Sequence, residues 1–161
     1  MEPKLYRHSK CYSTNKVTFF LYNLSGQIVG YQHYRPDKDK ARSNHPQYAR
    51  YYTLVRKGVI GVFGLELLKR DDKTIYIVEG IFKAAVLHRL GFNAVAVLTA
   101  NPKPLVSWFK ALRGRYRLLA IGDGDKAGAE LVKIVGAGSC STVDLDEMDD
   151  SAILRFLETL G

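Results

Sequence analysis

Three carboxylates, at two places in the chain, could act on one substrate. Glu79 follows the apolar run TIYIV, and Asp123 and Asp125 alternate with glycine in Gly122-Asp123-Gly124-Asp125 after YRLLAI. Alternate residues of an extended loop point the same way, so Asp-x-Asp offers two oxygen ligands to one hard cation. Glycines at 122 and 124 let the backbone bend around it. No His or Cys accompanies these acids. That matches the preference of Mg²⁺ for a few carboxylates supplemented by water and phosphate oxygens, with Mn²⁺ able to substitute. Acids brought together without a cation would repel and raise one another's pKa. Each piece also has a structural account. Glu79 can sit beside a helix start favoured by the macrodipole, and the two aspartates can serve as turn and cap. Both pieces at one edge of one sheet favour chemistry.

The elements that must position these acids follow from periodicity. TIYIV (74–78) is a continuous apolar run of the kind found in buried parallel strands. IFKAAVLHRL then spaces Ile81, Ala84, Ala85, Leu87 and Leu90 as a helix, and Gly91 stops it. AVAVL (94–98) predicts a second strand, Pro102 and Pro104 open a helix running to about 112, and YRLLAI (116–121) predicts a third strand. KAGAELVKIVG predicts a helix, STVDL (141–145) a fourth strand, and DDSAILRFLETL a closing helix capped by Asp149 or Asp150. This alternation specifies an α/β fold, a parallel four-stranded sheet flanked by helices, with functional groups beyond the carboxyl ends of the strands.

The first part of the chain differs in kind. Residues 1–73 carry 14 Lys/Arg against 6 Asp/Glu, whereas residues 74–161 carry 10 of each. The entire net charge of +8 therefore lies in the first part, with eight of the ten tyrosines: Tyr6, Tyr12, Tyr22, Tyr31, Tyr34, Tyr48, Tyr51 and Tyr52. Cations hold phosphates and flat rings stack on bases, so the mixture suits single-stranded nucleic acid; a basic solubilising face with tyrosines at a sheet edge is the structural alternative. VTFFLY (17–22) and IVGYQHY (28–34) around NLSGQ predict a hairpin, residues 35–50 a loop, YYTLV another strand, and GVIGVFGLELL a short helix or turn. Residues 1–73 thus form a small basic, tyrosine-rich β lobe ahead of an α/β domain at 74–161.

Several classes are disfavoured. No apolar run approaches the roughly 20 residues of a membrane span. The polar start MEPKLYRHSKCYSTNK has no secretory apolar core, and Cys11 and Cys140 make no disulfide framework, so a cytoplasmic setting is expected. His8 and Cys11 lack partners for a zinc ribbon, and no Walker phosphate loop is present.

IYIVEGIFKAAVLHRLGFNAVAVL followed by LLAIGDGDKAGAELV resembles the Toprim domain shared by bacterial-type primases, topoisomerases and some nucleases. The likeness runs from residue 74 to about 148. VTFFLYNLSGQIVGYQHYRP and RYYTLVRKGVIGVFGLELL resemble the passages that precede Toprim in the DNA primase catalytic core. The resemblance implies a Toprim-like fold and a metal-dependent nucleotidyltransferase that joins ribonucleoside triphosphates into short RNA primers on single-stranded DNA. It implies Glu79 as the Toprim glutamate and Asp123 and Asp125 as Mg²⁺ ligands in a two-metal reaction. Arg35, Lys38, Lys40, Arg42, Arg50, Arg56 and Lys57 would hold template and triphosphate. It also implies a stand-alone core of phage or mobile-element type, needing a helicase or a zinc-binding template-recognition partner for DNA replication. A Toprim nuclease, or a non-catalytic nucleic-acid-binding accessory protein, would use the same features differently. One position departs from the family pattern: Lys83 stands where an acid usually follows the glutamate by four residues. One helical turn past Glu79, it can return to the acidic edge and modulate the site, or point into solvent.

Overall fold

A polar turn between two runs of β-branched and aromatic residues makes a hairpin in the first part of the chain. The computed structural model describes residues 6–7, 16–39, 48–99 and 101–161. Strands β1 (Tyr6–Arg7), β2 (Val17–Tyr22), β3 (Ile28–Tyr34) and β4 (Tyr51–Val55) form an antiparallel sheet in that order. The β2–β3 hairpin closes where Asn23 accepts from the Gln27 amide at 2.9 Å through its side chain, with Gly26 in the left-handed region at φ 76°.

The segment after β4 joins this sheet to the next one. Val62 exchanges backbone hydrogen bonds with Tyr22 at 2.8 and 3.0 Å, and Phe63 does so with Ala96 at 3.0 Å each way. Two adjacent residues thus bridge the two sheets, and a 3-10 turn at Leu65–Leu67 follows. GVIGVFGLELL is the segment that connects the two sheets.

Beyond it the chain alternates: β5 (Thr74–Val78), α1 (Ile81–Arg89), β6 (Ala94–Ala96), α2 (Val106–Arg113), β7 (Arg117–Gly122), α3 (Lys126–Val135), β8 (Gly138–Cys140) and α4 (Asp150–Leu160). The four strands are parallel in the order β6-β5-β7-β8. Apolar residues leave both faces of the strands, as sheets covered on two sides require. Tyr76, Val78, Leu119 and Ile121 face Ile81, Ala84 and Leu87 of α1, Ile153 and Leu157 of α4, and Phe19, Leu21 and Phe63 from the amino-terminal part. Ile75, Ile77, Leu118 and Ala120 face Trp108, Phe109 and Leu112 of α2 and Leu131 and Val135 of α3. Among the described residues, no helix is long and apolar enough to cross a membrane.

The fourth strand is a correction to the sequence reading. STVDL (141–145) predicts it, yet β8 occupies Gly138–Cys140. A close approach decides the position: a Cβ on Gly138, at φ 125°, would lie 1.9 Å from the Ala120 carbonyl oxygen. Only glycine reaches β7 that closely. Ser141 makes the last backbone bond to β7, its N–H donating to the Gly122 carbonyl at 2.9 Å, and the rest of STVDL runs past the end of that strand. Leu145 is instead drawn into the core from a 3-10 turn at Leu145–Glu147, leaving Val143 exposed. Gly138→Ala combines a left-handed φ with a backbone clash, and is expected to cost at least about 2 kcal/mol of stability. Urea unfolding would measure this, and an unchanged midpoint would show that β8 can shift freely.

Candidate active site

Strand order determines where the acids meet. From β5 the chain crosses to β6 on one side, and it returns to β7 on the other, so a crevice opens beyond the carboxyl ends of β5 and β7. Glu79 directly follows β5 and Asp123 directly follows β7, on its two lips. The Asp123 backbone N–H donates to Glu79 Oε1 at 3.3 Å. Burial pushes the Glu79 carboxyl above its ordinary pKa, and the charges of Asp123 and Asp125 add to that rise. The Asp123 amide and the Lys83 ammonium oppose it.

The turn between Asp123 and α3 is tight for a stated reason. A Cβ on Gly128 would meet the Asp123 carbonyl oxygen at 2.1 Å, and a Cβ on Gly122 would meet the Gly128 carbonyl oxygen at 2.3 Å. Gly122 and Gly128 therefore let the first turn of α3 sit against the end of β7. Gly124, which the sequence singles out, is roomier, with its nearest neighbour at 3.3 Å. Asp125 is the N-cap of α3, and its Oδ1 accepts from the Gly128 amide at 2.8 Å. The cap leaves Asp125 near enough to act on Glu79 electrostatically while occupying one of its oxygens.

Lys83 does return to the acidic edge. Its Nζ donates to Asp123 Oδ1 and, at 2.9 Å, to Asp144 Oδ1. Burial by itself would lower the pKa of this ammonium, but the hydrogen bonds and charges of Asp123 and Asp144 outweigh burial and raise it. Asp144 lies in the segment after β8, far from Lys83 in sequence.

A cavity of about 640 Å³ opens over these groups. Glu79, Lys83, Asp123, Asp144, Asp146 and Glu147 supply its charged lining, and Gln32, Tyr51, Ile81, Phe82 and Leu98 are among its other walls. Gln32 and Tyr51 come from the antiparallel sheet, so that sheet walls the crevice. Tyr51 is 48% exposed and lies near Phe82, with ring centroids 6.4 Å apart; Tyr34 packs on both, at 5.1 and 4.8 Å. Burial, then Tyr34 and Asp146, push the Tyr51 phenol up, while the Arg50 charge pulls it down. Gln32 is buried and donates through Nε2 to Thr53 Oγ1 at 2.8 Å. Leu98 holds φ 56°, an uncommon conformation for a non-glycine residue, at the carboxyl edge of the sheet.

The basic residues are distributed differently. Arg35 is buried, Arg50 donates from Nε to the Lys38 carbonyl, and Lys38 pairs with Asp37 at 3.7 Å. Arg56 borders an apolar groove on the outer face of the antiparallel sheet with Phe20, Tyr31 and Leu54. None of Arg35, Lys38, Arg50, Arg56 or Lys57 lines the acidic cavity. Lys40 and Arg42 lie outside the described residues, as do His8 and Cys11.

Sequence reasoning did not single out Asp144, Asp146, Glu147 or Gln32. The acidic run DLDEMDD carried a signal, but it reads as a helix approach. Part of it is that: Asp149 Oδ1 accepts from the Ala152 amide at 2.8 Å and caps α4, and Asp150 pairs with both Arg89 guanidinium nitrogens at 2.6 and 2.9 Å.

By donor type the crevice fits a hard divalent cation, since its ionisable groups are oxygen acids and one lysine. Among the described residues, however, no three His, Cys, Asp or Glu side chains are gathered as a ready cage. One oxygen of Asp125, Oδ1, caps α3, and the Lys83 ammonium sits on Oδ1 of Asp123.

No protein-family model and no curated protein sequence matches the chain. Solved structures do. The catalytic domain of DnaG primase bound to ssDNA superposes with a TM-score of 0.67 at 17% identity, over 89% of this chain and 51% of that one. A DNA primase domain from Pseudomonas aeruginosa gives 0.63 at 21% identity, over 97% and 56%. The RNA polymerase domain of Mycobacterium tuberculosis primase DnaG gives 0.61 at 24%, over 89% and 54%. The chain spans about half the length of these primase structures. The chain has the Toprim-containing fold of DnaG-type primase catalytic cores.

Proposed function

We propose that the chain is a primase-type nucleotidyltransferase core that extends short RNA primers on single-stranded DNA. The observation that carries this is the pairing of Glu79 with Asp123 at the switch point of a primase-type sheet, under a wall of aromatic and amide side chains. In the reaction, a ribose 3′-hydroxyl oxygen attacks the α-phosphorus of an incoming ribonucleoside triphosphate. The bond to the β-phosphate breaks, pyrophosphate leaves, and the hydroxyl proton passes to Glu79. A carboxyl whose pKa is lifted by burial and neighbouring acids suits that proton transfer. Tyr51 and Phe82 offer ring faces to a base, and Gln32 an amide in the cavity lining. Glu79, Asp123 and Asp125 would hold Mg²⁺, or Mn²⁺ in its place, which when bound screens the phosphate charge.

Basic residues of the amino-terminal part, Arg50, Arg56 and Lys57 among them, would track the template backbone. One of the similar structures is a primase domain with ssDNA bound, which supports that choice of template. A helicase or a zinc-binding template-recognition module is the partner such a core would work with, as one of the similar structures, the Aquifex aeolicus primase, holds a zinc-binding domain beside its RNA polymerase domain. The test is incubation with single-stranded DNA, the four ribonucleoside triphosphates and Mg²⁺ or Mn²⁺. Labelled oligoribonucleotides are expected. Template cleavage without ribonucleotide incorporation would identify a nuclease instead, and neither product an accessory protein.

A further inference from the structure

Lys83 is held as a structural cation is held. It stands on α1, one turn beyond Glu79, and bridges a carboxylate at the end of β7 to one in the segment after β8. Its side chain is 12% exposed, against 34% for Asp123 and 50% for Asp144, so the charge is covered while its partners remain open to the cleft. Six acids (Glu79, Asp123, Asp125, Asp144, Asp146 and Glu147) converge on this region, and Lys83 is the one cation among the described residues lining the cavity. Two carboxylates drawn onto a shared positive centre is the arrangement that a hard cation otherwise creates in such a cluster.

We propose that the Lys83 ammonium is a tethered resident cation that fills the position between Asp123 and Asp144, leaving the cleft to take one divalent ion fewer than its carboxylates could hold. The proposal rests on the crevice being the reaction site. A tethered ammonium differs from a bound ion in three ways. It pays no association cost, it survives chelators, and it supplies one positive charge where a divalent ion supplies two. It also ties the segment carrying Asp144 to the β7 edge, so the acids of that segment stay at the cleft before any substrate arrives.

The test is Mn²⁺ titration of the free chain, without nucleotide or DNA, followed by calorimetry and electron paramagnetic resonance. Lys83→Met keeps the length of the side chain and removes its charge. It is expected to bind one more Mn²⁺ per chain than wild type, and the added ion should be lost in Lys83→Met/Asp144→Asn. Lys83→Arg, which keeps a cation, should keep the wild-type stoichiometry. Should the Met variant not fold by circular dichroism, Lys83→Gln replaces it. Equal stoichiometry and affinity in wild type and the neutral variant would overturn the proposal, as would an added ion that persists without Asp144. Primer synthesis is read separately. An inactive wild type with the expected change in stoichiometry leaves the tethered cation standing and removes the polymerising reaction. An active enzyme with unchanged stoichiometry does the reverse.

Discussion

Glu79→Gln is expected to lower primer synthesis by about 10²–10⁴-fold, the usual range for a general base. Glutamine preserves the shape of the side chain and an oxygen for the Asp123 amide, so the 3.3 Å hydrogen bond that spans the crevice can survive. What it removes is the ability to take a proton, together with one negative charge beside Asp123 and Asp125. The loss should therefore fall on kcat, with the KM for nucleotide changed little. A companion variant separates charge from architecture at the other lip. In Asp123→Asn/Asp125→Asn, asparagine remains a good N-cap and still accepts from Gly128, so α3 should stay in place by circular dichroism. Mn²⁺ binding should nevertheless be lost with activity. Wild-type rates in Glu79→Gln would show that the proton leaves by another route. Unchanged Mn²⁺ titration in the double variant would remove these acids as ligands.

Legibility in the sequence followed the range of the interactions concerned. TIYIV is buried on both faces, so a bare apolar run sufficed to announce β5 and to place Glu79 at its carboxyl end. Gly-Asp-Gly-Asp after a second such run announced the end of β7, and the cap at Asp125 is local chemistry. The fourth strand failed because its position depends on how closely Gly138 approaches Ala120, a contact between strands that composition does not report. That same displacement leaves residues 142–144 outside the sheet, and it puts Asp144 within reach of Lys83. Spacing along α1 alone was enough to bring Lys83 back toward Glu79. Its second partner, 61 residues downstream, required the tertiary fold. Gly128 was missed for a related reason: a small residue inside an amphipathic helix looks like a weak helix former until β7 is seen packed against it. The basic residues show the opposite failure. Their count was plain, but charge alone cannot tell Arg35, which is buried, from Lys57, which is exposed.

Affinity for single-stranded DNA is expected to fall steeply with salt. All of the net charge of +8 lies in residues 1–73, and counterion release makes the logarithm of affinity linear in the logarithm of salt, with a slope of about −0.7 per phosphate neutralised on a single strand. Six such contacts give a slope of about −4, and hence a loss of roughly 300-fold between 50 and 200 mM salt. The acidic cavity cannot supply these contacts, since Lys83 is committed to Asp123 and Asp144 and no other cation among the described residues lines it. On the proposed reading the backbone of the strand would run over the antiparallel sheet and its turns, where Arg56 and Lys57 follow β4. Arg56→Gln/Lys57→Gln removes two cations without burying or unpairing an acid, and should flatten the slope by about 1.4 if both meet phosphates. Fluorescence anisotropy with a labelled oligodeoxynucleotide, repeated across salt concentrations, measures both quantities. A double variant with the wild-type slope would move the backbone path to other cations, and a wild-type affinity indifferent to salt would leave the basic half with a solubilising role only.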